Sequence, residues 1–515
     1  MPLRVFPIFF CPENMFIKIS KIMSRFTSYY LYQKYEKVGD GEWTPTYPNE
    51  YSISGDSENT MPLVIKSEND ANCGYRDPIY RWANTEDTIC VFEEDNPYAN
   101  EYLTLDIVSG GTLTWDKIYN GGCQNVREIY YSKGELNNND EMIWVGPISY
   151  LNMNVNAGDK VYFKGLHKEY GYCCMWHFGG SAKFNAYGNI MSMIYGDDFV
   201  GQRAFTERET FNGLFRYSGV IDASNLVLPV ENLTSACYAE MFIGCKSLIN
   251  APELPSTNLS DKCYAQMFDG CSSLTTAPVL PATIMKSYCY AGMFRNCTSL
   301  ATAPELHATT LADNCYREMF NGCTFATAPV LSASTLAGSC YREMFRNCRN
   351  LTSPPVLSAT TLAGSCYYGM FRNCTSLTTA PQLPATTLAG SCYDRMFSSC
   401  TNLTNPPALP ATTLADSCYA YMFEGCSSLT TAPDLPAVNL ISGCYWSMFY
   451  NCSNLNYIKA MFTKNTKVDT YYKYTQNWVY GVSSTGTFVK NSAATWNVTG
   501  SSGVPSGWTI QTVSI

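Results

Sequence analysis

Apolar positions recur with a fixed period over residues 237–452. The unit Cys-Tyr-x-x-Met-Phe-x-x-Cys begins at Cys237, Cys263, Cys289, Cys315, Cys340, Cys366, Cys392, Cys418 and Cys444, in steps of 26 residues with a single step of 25 after Cys315. A period of this length marks a solenoid, in which each coil packs only on its neighbours. In the unit from Cys366, the residues Cys366, Tyr367, Met370 and Phe371 fall within a stripe of about 140° at helical spacing, which predicts a two-turn helix. Ser339, Ser365, Ser391 and Ser417 stand just before this segment and predict N-caps. The residue before the second Cys is Gly244, Asn296, Asn373 or a similar small residue, which tolerates the left-handed conformation that ends helices. Leu377, Ala380, Pro381 and Leu383 then predict a short inward-facing strand that Pro381 ends or distorts, because proline donates nothing to a ladder. Leu388 anchors the return. Cys323-Thr-Phe-Ala-Thr-Ala-Pro329 lacks one residue and places Phe325 where leucine is expected, so a local irregularity is predicted at 323–329.

The flanks carry weaker echoes. Phe211, Leu214, Phe215, Ile221, Leu226, Leu228 and Leu233 follow the pattern without its cysteines and predict an N-terminal cap. Leu455, Ile458 and Met461-Phe462 repeat it once more, before a Gly/Ser-rich segment with short β-prone stretches. From about 99 to 200 the period changes to two. Leu103–Ile107, Leu113–Ile118, Glu128–Ser132, Glu141–Val145, Met153–Val155, Lys160–Phe163 and Lys183–Tyr187 predict strands of an antiparallel β-sandwich. Before them, Tyr30–Glu36 and Trp43–Thr46 flank Gly39-Asp40-Gly41 as a hairpin. The expected organisation is an α+β multidomain chain: a leader or mis-assigned start at 1–22, a small β-rich module at 23–98, the sandwich at 99–200, a leucine-rich-repeat-like solenoid with its cap at 201–456, and a β-rich C-terminal cap at 457–515. Each solenoid coil is expected to hold one short helix and one short parallel strand.

Composition narrows the function. A net charge of −9 argues against a nucleic-acid binder, which presents a basic face. No apolar run reaches the 18 or so residues that insertion in a membrane needs. Of the 24 cysteines, most sit in the repeats. Positions 1 and 9 could form one disulfide per unit, or the cysteines could form two ladders of free thiols. The second reading fits better, because free cysteine packs as a small hydrophobe and a two-turn helix separates its ends by about 12 Å. Histidine is scarce, at His167, His177 and His307. No phosphate loop, His-Glu-x-x-His or Gly-x-Ser-x-Gly motif occurs. Cys173, Cys174 and His177 form the nearest thing to a metal set, and buried strand positions explain them better. No catalytic residue, metal ligand or cofactor is assigned.

The candidate binding surface comes from the columns that vary while the framework stays constant. One is the residue after the proline: Glu253, Glu305, Gln382 and Asp434 among others. The other is the outward side of the Cys-Tyr-x-x-Met-Phe segment: Arg317, Arg342, Arg346, Tyr368, Arg395, Tyr421, Trp446 and Tyr450. Tyr, Trp and Arg are the side chains that most often carry binding energy.

Met-Phe-x-x-Cys-x-Ser-Leu, seen at Phe371, Cys374, Ser376 and Leu377 and followed by a leucine-containing strand segment, resembles the BspA-like leucine-rich-repeat surface proteins of the bacterial surface 26-residue class. Similar chains occur in gut Bacteroidetes and their phages. The resemblance covers about 211–462. It departs where Ala-Pro-x-Leu-Pro stands in place of Leu-Asp-Leu-Ser, which bears on strand length. It implies a non-enzymatic adhesion or recognition protein on a cell surface or virion, with a host or bacterial surface protein or glycan as partner. Two alternatives stay open: a carbohydrate-active enzyme with its site in the 99–200 sandwich, and a structural spacer of a phage tail appendage.

Overall fold

The computed structural model describes residues 98–117, 127–168, 170, 175–465 and 473–514, together with strand segments before residue 98. The chain divides into two compact units, Met1–Ala99 and Asn100–Ile515. The leader at 1–22 lies outside the described residues, as do Cys173 and Cys174. In the first unit, β1 (Leu31–Tyr32), β4 (Tyr51–Ile53), β5 (Pro62–Lys66), β7 (Thr88–Cys90) and β6 (Trp82–Ala83) make one sheet in that order. The expected hairpin is present: β2 (Tyr35–Val38) pairs antiparallel with β3 (Glu42–Pro45).

The second unit opens with two sheets. The larger runs in the order β11 (Val145–Ile148), β10 (Ile129–Ser132), β13 (Lys160–Gly165), β8 (Leu103–Ser109), β15 (Lys183–Asn189) and β16 (Val220–Asp222), with β17 (Leu226–Val227) also on β15. The smaller is β12 (Leu151–Val155), β9 (Gly111–Lys117) and β14 (Trp176–Gly179). All pairs are antiparallel up to β15, as the period-two pattern implies. Along β13, Val161, Phe163 and Gly165 are buried while Lys160 is exposed. Two details differ from expectation. The strand expected at Glu141–Val145 forms instead at Val145–Ile148, an edge position where Pro147 is tolerated. The short β14 shows no alternation long enough to read.

β15 then pairs in parallel with β16 and β17, and this switch starts the stack of coils. Residues 211–217 form the first coil. Phe211 stacks on Tyr170 at 6.2 Å and Phe215 on Phe178 at 5.6 Å, so the sheets serve as the base on which the coils are laid. From there one column of tyrosines runs from Tyr238 to Tyr445, with neighbouring rings 5.8–6.1 Å apart. A column of phenylalanines runs beside it from Phe215 to Phe449, at 5.4–5.9 Å. Each ring closes the core of its neighbour, which is why a lone coil could not stand.

The Cys-Tyr-x-x-Met-Phe segment is not a helix. The sole α-helix among the described residues is α1 (Ser192–Tyr195). In every coil the segment is a ribbon of overlapping turns with a left-handed residue at every fourth position. In the coil from Cys366 these are Ser365, Gly369 and Asn373, at φ 54°, 57° and 62°. Alternate N–H groups bond within the coil, as Tyr368 N to Ser365 O. The others reach the next coil, as Gly369 N to Asp394 O and Phe371 N to Met396 O. Both patterns bury positions i, i+1, i+4 and i+5, so the apolar spacing alone does not separate them. The serines expected as N-caps are themselves left-handed: Ser339, Ser365, Ser391 and Ser417 have φ of 53–54°. The left-handed residue expected before the second Cys is found, as at Gly244, Asn296 and Asn373.

The strand of each coil shrinks to single parallel bridges, such as Asn250↔Thr276, Thr379↔Asn405 and Thr431↔Tyr457. Proline two residues on prevents the ladder from growing. Where Ile458 and Lys459 replace the Ala-Pro pair, a full strand appears, β18 (Tyr457–Ala460). It pairs in parallel with β19 (Thr487–Asn491), and β19 with β20 (Thr509–Val513). The ribbon also continues past the last cysteine unit: Phe449 N bonds Trp478 O and Asn451 N bonds Tyr480 O, so 473–481 is a further coil. Met461-Phe462 therefore does not take the ribbon position its sequence suggested. The 25-residue unit is irregular where expected: the turn bond from Leu to Cys found at Leu300 and Leu351 has no counterpart at Phe325, which fills the leucine site edge-on to Phe320.

All eighteen repeat cysteines are free and buried. The second thiol of a coil donates to the phenylalanine carbonyl of the coil before, as Cys374 Sγ to Phe345 O at 3.0 Å and Cys400 Sγ to Phe371 O at 3.1 Å. That contact explains a thiol there better than a methyl group would.

Candidate binding face

The ribbon decides which side chains meet solvent. With Cys, Tyr, Met and Phe turned inward, positions 3, 4, 7 and 8 of each unit face out and line up coil upon coil. Of the sequence candidates, Arg317, Arg342, Arg346, Tyr368, Arg395, Tyr421, Trp446 and Tyr450 all lie on this face, half-buried by one another. Glu253, Glu305, Gln382 and Asp434 form a different column, exposed beside the prolines. There Asp434 pairs with Lys459 at 2.6 Å, and Glu305 lies 3.6 Å from His307.

Three zones follow one another along the ribbon face. In the first, charges cancel: Arg295 is held by Asp269 and by Glu318 at 3.1 Å, and Arg317 by Glu318 at 3.1 Å. These carboxylates push the Arg295 guanidinium up from its ordinary range. In the second zone arginines outnumber acids. Arg346 pairs with Glu343 at 3.2 Å and Arg395 with Asp394 at 2.8 Å. Arg342 lies instead over the Tyr368 ring at 4.1 Å, and Arg395 over Tyr421 at 4.2 Å. Among the described residues, neither Arg342 nor Arg372 has a carboxylate within 4.0 Å. Burial pushes the Asp394 carboxyl up to about 7, against the downward pull of Arg395 and Arg342. The third zone is aromatic: Tyr421 meets Trp446 at 4.9 Å, Lys473 lies over Trp446 at 4.1 Å, and Tyr450 stacks on Tyr480 at 4.9 Å. An amide ladder, Asn373 to Asn347 to Asn321, borders the second zone at 2.9 and 3.0 Å.

The sequence does not mark Lys473 and Tyr480 as part of this face, because their coil lacks the Cys-Tyr-x-x-Met-Phe signature. Arg372 is visible there as an outward position but has no feature to distinguish it from Arg346. Elsewhere, His177 lies with its Nδ1 3.2 Å from Phe178 O, and burial lowers its pKa. Among the described residues no group of His, Cys, Asp and Glu is arranged to hold a metal ion. Nor is any described helix long and apolar enough to cross a membrane.

Coils that repeat every 26 residues, line their interior with leucine and join through parallel bridges define a leucine-rich-repeat protein. The family model for the BspA type leucine rich repeat region matches residues 215–352 and 338–477, with six copies, and the chain belongs to that family. Repeat regions of this type are generally non-enzymatic and are typical of surface proteins. No curated protein and no solved structure matches the chain.

Proposed function

We propose that this chain is a non-enzymatic adhesion or recognition protein, displayed on a bacterial surface or a virion, that holds a protein or glycan against its ribbon face. The observation that supports this reading is the division of labour within each coil. Cys, Tyr, Met, Phe and Cys stay the same in all nine units, while the four outward positions change from a charge-cancelled zone to an arginine zone to an aromatic one. A spacer needs the first property and has no use for the second. The two sheets at 103–189 act as base and attachment for the coils. The test is an array of mucins, extracellular-matrix proteins and bacterial capsules probed with the whole chain and with the Tyr421→Ala/Trp446→Ala variant. A ligand bound by the parent and lost by the variant is expected. Binding to nothing on the array, or binding that the variant retains, would refute the assignment to this face. Immunogold labelling of cells and of virions distinguishes the two locations.

A further inference from the structure

The middle of the ribbon face has the chemistry of one ligand class, given the recognition role proposed above. We infer that the coils from Cys340 to Cys444 bind an acidic polysaccharide, with Arg342, Arg346 and Arg372 taking its carboxylate or sulfate groups and Tyr421 and Trp446 taking its sugar rings.

The first reason is the state of the arginines. In the earlier coils each guanidinium is matched by a carboxylate. In the coil from Cys366 the position three residues before the arginine is Gly369, where the preceding coil has Glu343, so Arg372 loses the partner that Arg346 keeps. Arg346 and Arg372 are equivalent positions in adjacent coils, at the level where Phe345 and Phe371 stack 5.8 Å apart. Like charges at equivalent positions of adjacent coils repel. The Nε of Arg342, Arg346 and Arg372 are all shielded from solvent and without a hydrogen-bond partner. Burying a charged donor without an acceptor costs stability, and an anion that engages the remaining guanidinium nitrogens in paired hydrogen bonds offsets that cost. Arginine is suited to this, since its planar fork matches the two oxygens of a carboxylate or sulfate.

The second reason is pre-organisation. Arg342 lies over the Tyr368 ring, and Arg395 donates to the Tyr368 hydroxyl at 2.9 Å. The backbone beneath is fixed, because Glu343 N bonds Tyr368 O and Asn347 N bonds Arg372 O. Little freedom remains to be lost on binding.

The third reason separates a polysaccharide from an acidic peptide. A peptide docking on a β-rich surface gains most from main-chain hydrogen bonds to an open edge. This face offers none. From Ser365 to Cys374 every N–H is already used, either within the coil or toward the next one. What remains is a row of side chains in which arginines lead into half-buried aromatic rings, a surface that reads acidic groups and sugar rings. The whole chain carries a net charge of −9, so attraction to a polyanion must come from this zone rather than from overall charge.

The experiment titrates the full chain with three polysaccharides: chondroitin sulfate, polygalacturonate and neutral dextran. Poly-glutamate serves as the peptide control, and binding is read by calorimetry at two salt concentrations. Binding to one or both acidic polysaccharides and not to dextran is expected, with affinity that falls as salt rises. Preference for the sulfated chain indicates a sulfated host glycan as the source, and preference for the uronate chain a bacterial capsule. Arg372→Gln and Arg342→Gln should each weaken binding about tenfold. Their near-ultraviolet circular dichroism should match the parent, and Arg372→Lys should recover part of the loss. Equal binding of dextran, tighter binding of poly-glutamate, or full affinity in the folded Arg342→Gln/Arg372→Gln double variant would overturn the inference. If no acidic polysaccharide binds while the array finds a ligand lost in Tyr421→Ala/Trp446→Ala, the recognition reading stands and this inference alone fails.

Discussion

Replacing Phe371 by alanine probes whether the coils share one interior. The ring is fully buried, with Phe345 5.8 Å away on one side and Phe397 5.7 Å on the other. Truncating a buried phenylalanine costs about 3–5 kcal/mol, and the cost is highest where neighbours cannot collapse into the gap. Here they cannot, because the ribbon backbones on both sides are tied by Phe345 N to Met370 O and Phe371 N to Met396 O. A loss near the top of that range, about 4–5 kcal/mol, is therefore expected. The loss should also be visible in the shape of the transition. Coils interact with nearest neighbours only, so a weak interface in the middle divides the stack into two blocks. Tryptophans report on both ends: Trp115 and Trp176 in the basal sheets, Trp478, Trp496 and Trp508 beyond the last cysteine unit. Urea unfolding followed by fluorescence should show the two ends of the coil stack melting together in the parent and separately in Phe371→Ala. Gln382→Ala, exposed beside the prolines, should stay within about 0.5 kcal/mol. A loss below about 1 kcal/mol for Phe371→Ala, with the two ends still melting together, would refute the continuous core.

Other outcomes follow from the same geometry. Burial pushes the thiols up, to about 12 at Cys245, Cys348 and Cys400, so at pH 8 only about one in ten thousand is thiolate. Native alkylation should leave the repeat cysteines unlabelled for as long as the stack stays folded, and guanidinium should expose them together. Ser365→Gly should raise stability by about 0.5–1 kcal/mol, since a side chain at a left-handed position costs about 1–2 kcal/mol and glycine's greater freedom when unfolded offsets part of the gain. A helix cap at that position would instead lose stability in the same urea titration. Asp394 is raised in the folded chain to about 7, above the ordinary carboxyl value, with Arg395, Arg342 and Glu424 as its charged neighbours. Its contribution is present below about pH 4 and fades as pH climbs through 7. Asp394→Asn should remove that slope from melting temperatures measured between pH 4 and 8.

The period, the inward columns and the free thiols were legible because each rests on residue type at a fixed step. The ribbon was not. Tyr367, Met370 and Phe371 have the spacing of a helix face and equally that of turns repeating every four residues. Only the need for positive φ at residues four apart separates the two, and that signal is diluted. Glycine stands at the fourth position in the coils of Gly292 and Gly369, while Glu240, Gln266, Glu318, Glu343, Arg395, Tyr421 and Ser447 adopt the same conformation elsewhere. The prolines did foretell how little strand would form. The coil at 473–481 escaped notice because Trp478 and Val479 stand where Met and Phe are otherwise invariant, so nothing in the sequence connects Lys473 and Tyr480 to the face they extend. The outward arginines could be counted from the sequence. Which of them lack an acid depends on stacking neighbours 23 to 26 residues away, as with Arg295 and its partners Glu318 and Asp269.

The shortened coil shows how this chain can change length. One residue is gone between Cys323 and Pro329, yet the tyrosine and phenylalanine columns pass through unbroken, Tyr316 to Tyr341 at 5.9 Å and Phe320 to Phe345 at 5.8 Å. The connector after the second cysteine thus absorbs an indel that the ribbon never registers. Because each turn meets only its neighbours, whole turns can be gained or shed with the columns kept in step, and each such change brings a new sequence of outward residues onto the same scaffold.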